Sequence, residues 1–243
     1  MDSKSIEKLT NDILNGKRDL PQFNQPEHAG VCSAGPLLIG ALALCDHTRK
    51  SISTSSNAPV SQGSPSNWEI DEAQERDLQQ WAESIGCWIP DAESWLAETY
   101  GSIIAQGAEA KVYYKTGDTH VIKLRTSIYA TLERALESIA LHNYLFPETI
   151  IRVIGFTRDA DGLFRTIITQ PYIECERLAT QDEINIMVSS KGFHSNGDTT
   201  STNYLSNRLH LEDMHPANVF IEPLTHLPIC IDCIVKFRRL PKT

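Results

Sequence analysis

The sequence predicts an α+β fold, and three stretches carry that prediction. Residues 103–124 read as strands joined by turns: Ile103-Ile104 enter, the chain turns at Gly107, Val112 to Tyr114 leave, Thr116-Gly117-Asp118-Thr119 supply turn chemistry, and Val121 to Leu124 form the next strand. Residues 127–145 then carry a helical period, with Ile128, Leu132, Leu136 and Ile139 three or four positions apart. Toward the end, Asp213-Met214-His215-Pro216-Ala217-Asn218 reads as a polar loop, followed by the apolar strand Ile229-Cys230-Ile231-Asp232-Cys233-Ile234.

The loop and strand point to phosphoryl-transfer chemistry. An Asp and an Asn five positions apart can set a carboxylate beside an attacking hydroxyl and an amide oxygen on a magnesium ion; Asp232, nineteen residues after Asp213, can bridge that ion to nucleotide phosphates. Positioning and charge neutralisation are most of what such a transfer needs. The alternative is a chance D-x4-N followed by a D.

Upstream residues fit the same chemistry. Small residues around Gly107 and Ala110 leave space for a backbone that approaches phosphates closely. Lys123 stands on the following strand, where an ammonium can reach phosphates as a point charge. A glutamate of the 127–145 helix can hold that lysine extended; Glu137 is the first choice and Glu133, one turn away, the alternative, with solvated helix charges as the plainer reading of both.

The chain resembles the protein-kinase-like superfamily. Gln106-Gly107-Ala108-Glu109-Ala110 is similar to the nucleotide loop of small atypical kinases such as those of the KEOPS complex, and Asp213-x-His215-x-x-Asn218 to the catalytic loop of aminoglycoside and choline phosphotransferases. Ala140-Leu141-His142-Asn143-Tyr144-Leu145-Phe146-Pro147-Glu148-Thr149, with Ile154-Gly155-Phe156 and Gln170-Pro171-Tyr172-Ile173, resembles the kinase domain of polyvalent proteins of phages and conjugative elements. The resemblance covers residues 74–235 and implies a two-lobed fold, with an antiparallel five-stranded small lobe over about residues 68–170 and a reduced large lobe over about 171–243. Residues 1–67 are expected to form an N-terminal accessory region with a serine-rich linker.

The resemblance also implies roles. Gly107, Ala110 and Val112 would roof the nucleotide, Lys123 would contact its phosphates and pair with Glu137, and Gln170, Tyr172 and Ile173 would flank the adenine. Asp213 would be the catalytic base, with His215 steadying the loop or touching the transferred group, while Asn218 and Asp232 would hold magnesium. The expected function is ATP- and Mg2+-dependent transfer to a hydroxyl of a protein or small-molecule acceptor. The departures are a single glycine in the nucleotide loop, Leu211-Glu212 before the base, Cys233-Ile234 after the metal aspartate, and only eleven residues beyond Asp232. They motivate two alternatives: a nucleotide-binding pseudokinase serving as an interaction module, and a scaffold that binds no nucleotide.

Composition bounds the rest. With 22 basic residues against 31 acidic, the net charge of -9 argues against nucleic acid or anionic membrane as the main partner. The run at residues 36–45 is too short for a membrane helix and is expected as a buried helix or strand, and no signal peptide opens the chain, so a cytoplasmic setting is expected. Six cysteines without a secretory signal predict reduced thiols, and Cys230-x-x-Cys233 supplies only half of a tetrahedral zinc site, which favours ordinary core thiols. A short helix is expected over residues 5–14, a loop over 51–67 with seven serines, and a helix over 70–85. Trp81, Trp88 and Trp95 recur every seven positions and are expected to pack in the core rather than form a recognition face. Thr180-Gln181-Asp182-Glu183 predicts a capping box, and residues 189–203 a loop.

Overall fold

The computed structural model describes residues 34–55, 67–107, 109–126, 131–197 and 201–238. The helix expected over residues 5–14 and most of the serine-rich stretch lie outside them. The described chain forms two compact units, one of residues 34–137 and 152–170, the other of residues 138–151 and 171–238.

In the first unit the apolar run at 36–45 belongs to helix α1 (Ala34–Ser55). Leu37, Leu38, Ala41, Leu42 and Cys45 are buried at one-turn spacing, a stripe that period-two alternation would split between two faces. The helix runs on through Ser51 to Ser55, where a loop was expected, so the local preference of serine yields to continuation of a docked helix. Helix α2 (Asn67–Ser84) packs against α1. Gly40 makes the close approach possible, since a Cβ there would lie 2.7 Å from the Trp81 ring.

After Gly86, residues 87–89 run beside the sheet edge, with Phe156 N donating to Cys87 O at 3.0 Å and Ile89 N to Phe156 O at 2.9 Å. A Cβ on Gly155 would lie 2.8 Å from Ile89 Cδ1, so the glycine admits this covering segment. Helix α3 (Ala92–Tyr100) follows. Trp81, Trp88 and Trp95 are half-buried rather than fully in the core: Trp88 lies 5.8 Å from Phe164 and Trp95 lies 5.3 Å from Tyr100, centroid to centroid. Cys87 is disulfide-bonded, contrary to the expectation of reduced thiols throughout.

The sheet holds β1 (Ser102–Gln106), β2 (Ala110–Tyr114), β3 (His120–Thr126), β4 (Arg152–Arg158) and β5 (Phe164–Pro171) in the order β1-β2-β3-β5-β4. The β1–β2, β2–β3 and β4–β5 pairs are antiparallel. Tyr113, Ile122, Leu124, Ile154 and Ile167 bury one face against Ala92, Leu96 and Tyr100 of α3. Helix α4 (Leu132–Leu145) starts later than its period suggests. Leu132 N is held by Asp71, and Glu133 N donates to Gln74 Oε1 at 3.3 Å, so side chains of α2 fix the first turn.

The second unit contains β6 (Arg177–Leu178), α5 (Gln181–Ser190), β7 (His194–Ser195), β8 (Tyr204–Leu205), β9 (Leu209–Glu212), β10 (Val219–Ile221), β11 (Pro228–Cys230) and β12 (Ile234–Phe237). These strands form a three-stranded sheet, β11-β10-β6, and a four-stranded one, β12-β9-β8-β7. The capping box at Thr180 and Glu183 is complete. Short strand β7 falls within the expected loop at 189–203 and pairs with β8 just beyond it; two residues are too few to show a period in sequence. The strand read through residues 229–234 is broken at 231–233, between β11 in one sheet and β12 in the other. The core gathers Leu141, Phe146, Ile184, Val188, Leu211, Met214, Val219 and Val235, among others. Among the described residues no helix is long and apolar enough to cross a membrane.

Candidate active site

The sheet unit holds Gly107, Ala110, Val112, Lys123, Glu137 and Gln170 of the residues expected to hold nucleotide. Across antiparallel strands, directly opposed residues share a face. Val112 opposes Lys123, Ala105 opposes Val112, and Ala110 opposes Arg125. One face therefore carries Ala105, Ala110, Val112, Lys123 and Arg125, while Tyr113, Ile122 and Leu124 turn to α3. Lys123 is only 7% exposed, a depth at which an ammonium needs compensation. Gly107 N donates to Ala110 O at 3.0 Å, closing the turn. A Cβ on Gly107 would meet nothing within 4 Å, so this backbone is open to an approaching ligand. Arg125, which the sequence reading passed over, pairs with Glu109 at 3.8 Å; the K-x-R alternation on β3 was the available signal.

The two helix glutamates differ in their commitments. Glu133 accepts from Arg49 Nε at 2.9 Å and from Gln74 Nε2 at 3.1 Å. Glu137 has no ion pair among the described residues. Burial first, and the Glu133 charge second, push its carboxyl up to about 7, against the opposing pull of Arg134 and Arg49. At the end of β5, Gln170 is buried; in the other unit, Tyr172 is exposed and Ile173 half-buried.

The second unit builds the loop expected to carry base and metal ligands. Asp213 has φ 64°, a left-handed conformation that Asp tolerates better than most residues. Met214 N donates to Thr202 O at 2.9 Å and fixes the loop from the far side. His215 Nδ1 accepts from Ala217 N at 3.2 Å, which places the neutral ring's proton on Nε2, 3.3 Å from Asp213 Oδ1. The other carboxylate oxygen, Oδ2, accepts from Asn218 Nδ2 at 2.9 Å, and Asp213 O accepts from the same amide at 2.9 Å. Both carboxylate oxygens are thus oriented, while the Asp213 side chain stays 44% exposed and open to an incoming hydroxyl.

Asn218 commits its amide nitrogen to Asp213, so the amide oxygen remains the atom to face a cation. Strands β10 and β11 pair Val219 with Cys230, and Ile231 N donates to Asn218 O at 2.9 Å. Asp232 therefore follows directly on the residue bonded to Asn218, at the open end of this hairpin. One amide oxygen and one carboxylate are hard donors of the kind magnesium selects, so the residues fit that ion.

Comparisons with known proteins follow the same line. No curated protein matches the chain. Among solved structures, the chain is similar to the Legionella pneumophila LegK7 effector kinase at 11% identity, over 81% of this chain and 49% of that one, with a TM-score of 0.27. The chain thus spans about half of that kinase, and the likeness is too slight to carry an argument. The model of the serine/threonine/tyrosine kinase found in polyvalent proteins matches residues 71–239, and the chain belongs to that family.

Proposed function

We propose that the protein is an ATP- and Mg2+-dependent phosphotransferase acting on a hydroxyl of a protein or small-molecule acceptor. The observation that carries this reading is the oriented carboxylate of Asp213, held at one oxygen by His215 and at the other by Asn218. Asp213 takes the acceptor proton on a carboxylate oxygen, and His215 keeps that carboxylate turned toward the acceptor. Magnesium, when bound, neutralises charge on the nucleotide phosphates; Asn218 and Asp232 are the residues that hold it. Lys123 draws the phosphates to the sheet face beneath Val112. Glu137 is the partner proposed for it once nucleotide is bound, because Glu133 is already engaged by Arg49 and Gln74. Gln170, Tyr172 and Ile173 flank the base, and the net charge of -9 disfavours polyanionic acceptors.

The test is transfer from radiolabelled ATP to the protein itself, to generic protein acceptors and to water. Transfer that Asp213→Asn abolishes supports the reading. Equal transfer by wild type and variant removes Asp213 as the base.

One observation favours a second reading, a nucleotide-binding module without turnover. Glu137 lacks an ion pair among the described residues, and burial favours its neutral form, which cannot anchor a lysine by charge. ATP binding measured by calorimetry, with no transfer to any acceptor, would select this reading over the first.

A further inference from the structure

Buried behind the loop just described, in the same unit, is a group of side chains that the phosphotransferase chemistry does not use. His142, Cys230 and Cys233 bring one imidazole nitrogen and two sulfurs within 4.8 Å of one another. Their residues are 1%, 0% and 4% exposed. The geometry points to a structural zinc site formed by His142, Cys230 and Cys233.

Distances and tautomer support ligation. With Zn–S of about 2.3 Å and Zn–N of about 2.0 Å, the sulfur–nitrogen edge of a tetrahedron is about 3.5 Å and the sulfur–sulfur edge about 3.8 Å. His142 Nδ1 lies 3.3 Å from Cys233 Sγ, and Met214 Sδ, a further soft donor, lies 3.8 Å from Cys230 Sγ. On the other side of the ring, Nε2 faces Thr149 O at 3.2 Å. A carbonyl only accepts, so Nε2 carries the proton and Nδ1 turns its lone pair to the thiols. Such outer bonds commonly orient metal-ligating histidines. Thr149 ties the group together, since its hydroxyl donates to Cys230 O at 2.7 Å. Asn143 clamps the same turn, exchanging hydrogen bonds of 2.7 Å with both the N–H and the carbonyl of Ile151.

Charge selects the ion. Two thiolates and a neutral imidazole carry two negative charges, which a divalent ion cancels; a monovalent copper ion would leave a net charge in a dry interior. The soft donor set excludes magnesium and calcium. On binding, each thiol releases its proton to solvent as its sulfur bonds the metal, with no change of oxidation state. The ordinary alternative is a core hydrogen bond from the Cys233 thiol to His142 Nδ1. Because Asp232 lies between the two cysteines, zinc would also fix the backbone of that residue, whatever its role in phosphoryl transfer.

The test uses the full chain with the Cys87 disulfide left intact, stripped with chelator and reloaded. One zinc per chain by mass spectrometry of the metal, and thiolate-to-cobalt charge-transfer bands on substitution with cobalt, are the expected results for wild type. Cys175, an exposed free cysteine, is the control, and Cys175→Ser should leave stoichiometry and spectrum unchanged. Cys230→Ser with Cys233→Ser should take the bound zinc from one to none. Wild-type protein that holds no zinc after reloading, or cobalt spectra without thiolate bands, would overturn the site; the wild-type spectrum gives this answer even if the double variant fails to fold.

Discussion

Asp213 sits at φ 64°, and the choice of substitution matters there. Asn tolerates the left-handed region, whereas Ala pays about 1 kcal/mol of backbone strain. Asp213→Asn is therefore expected to keep wild-type stability while phosphoryl transfer falls by about 10²–10⁴-fold. Asp213→Ala should show the same loss of activity together with a lower urea midpoint. Similar stability of the two variants would remove the strain assignment. Glu137 gives a pH signature. Its folded value of about 7 lies above the usual 4.5, so the fold favours the protonated form. That contribution is complete below pH 4.5 and is lost as pH rises through about 7. Glu137→Gln, which mimics the protonated carboxyl, should match wild type near pH 4.5 and exceed its stability by about 1–3 kcal/mol at pH 8. A difference independent of pH would sink that assignment.

At the scale of elements, α5 depends on its capping box, in which Thr180 Oγ1 accepts from Glu183 N and Thr180 N donates to Glu183 Oε2 at 2.8 Å. Thr180→Ala should cost about 1 kcal/mol, read as a shift of the denaturation midpoint. Gly155→Val tests the segment that covers β4. Its side chain would drive into Ile89 and the Cys87 carbonyl, the latter 3.0 Å from a Cβ, and overpacking of this kind costs about 1–3 kcal/mol. These elements were legible because local rules fix them: the cap is spelled out by Thr180 and Glu183, and the hairpins by turn residues between apolar runs. The start of α4 was not, because Asp71 and Gln74, some sixty positions away, fix its first turn. Nor was the break at residues 231–233, where an apolar run interrupted only by Asp232 passes from one sheet into another.

At the scale of the whole molecule, Lys123 and Asp232 belong to different compact units. On the proposed function, MgATP at a hundredfold excess over Kd should stabilise wild type by about 2.7 kcal/mol. Lys123→Ala and Asp232→Asn should each lose most of that gain in a thermal melt. A gain that survives in both variants would separate those residues from the nucleotide. Local period, turn chemistry or motif carries the α+β class, the strands around Gly107, the order of the candidate residues and the family resemblance, so these were legible in the chain. Tertiary structure decided what depends on distant partners. It committed Glu133 to Arg49 and Gln74, set Lys123 and Arg125 on one face with Val112, and brought His142 to Cys230 and Cys233 across about ninety positions of chain. Side chains so far apart in sequence meet only where packing of the intervening elements brings them, and no local pattern encodes that meeting.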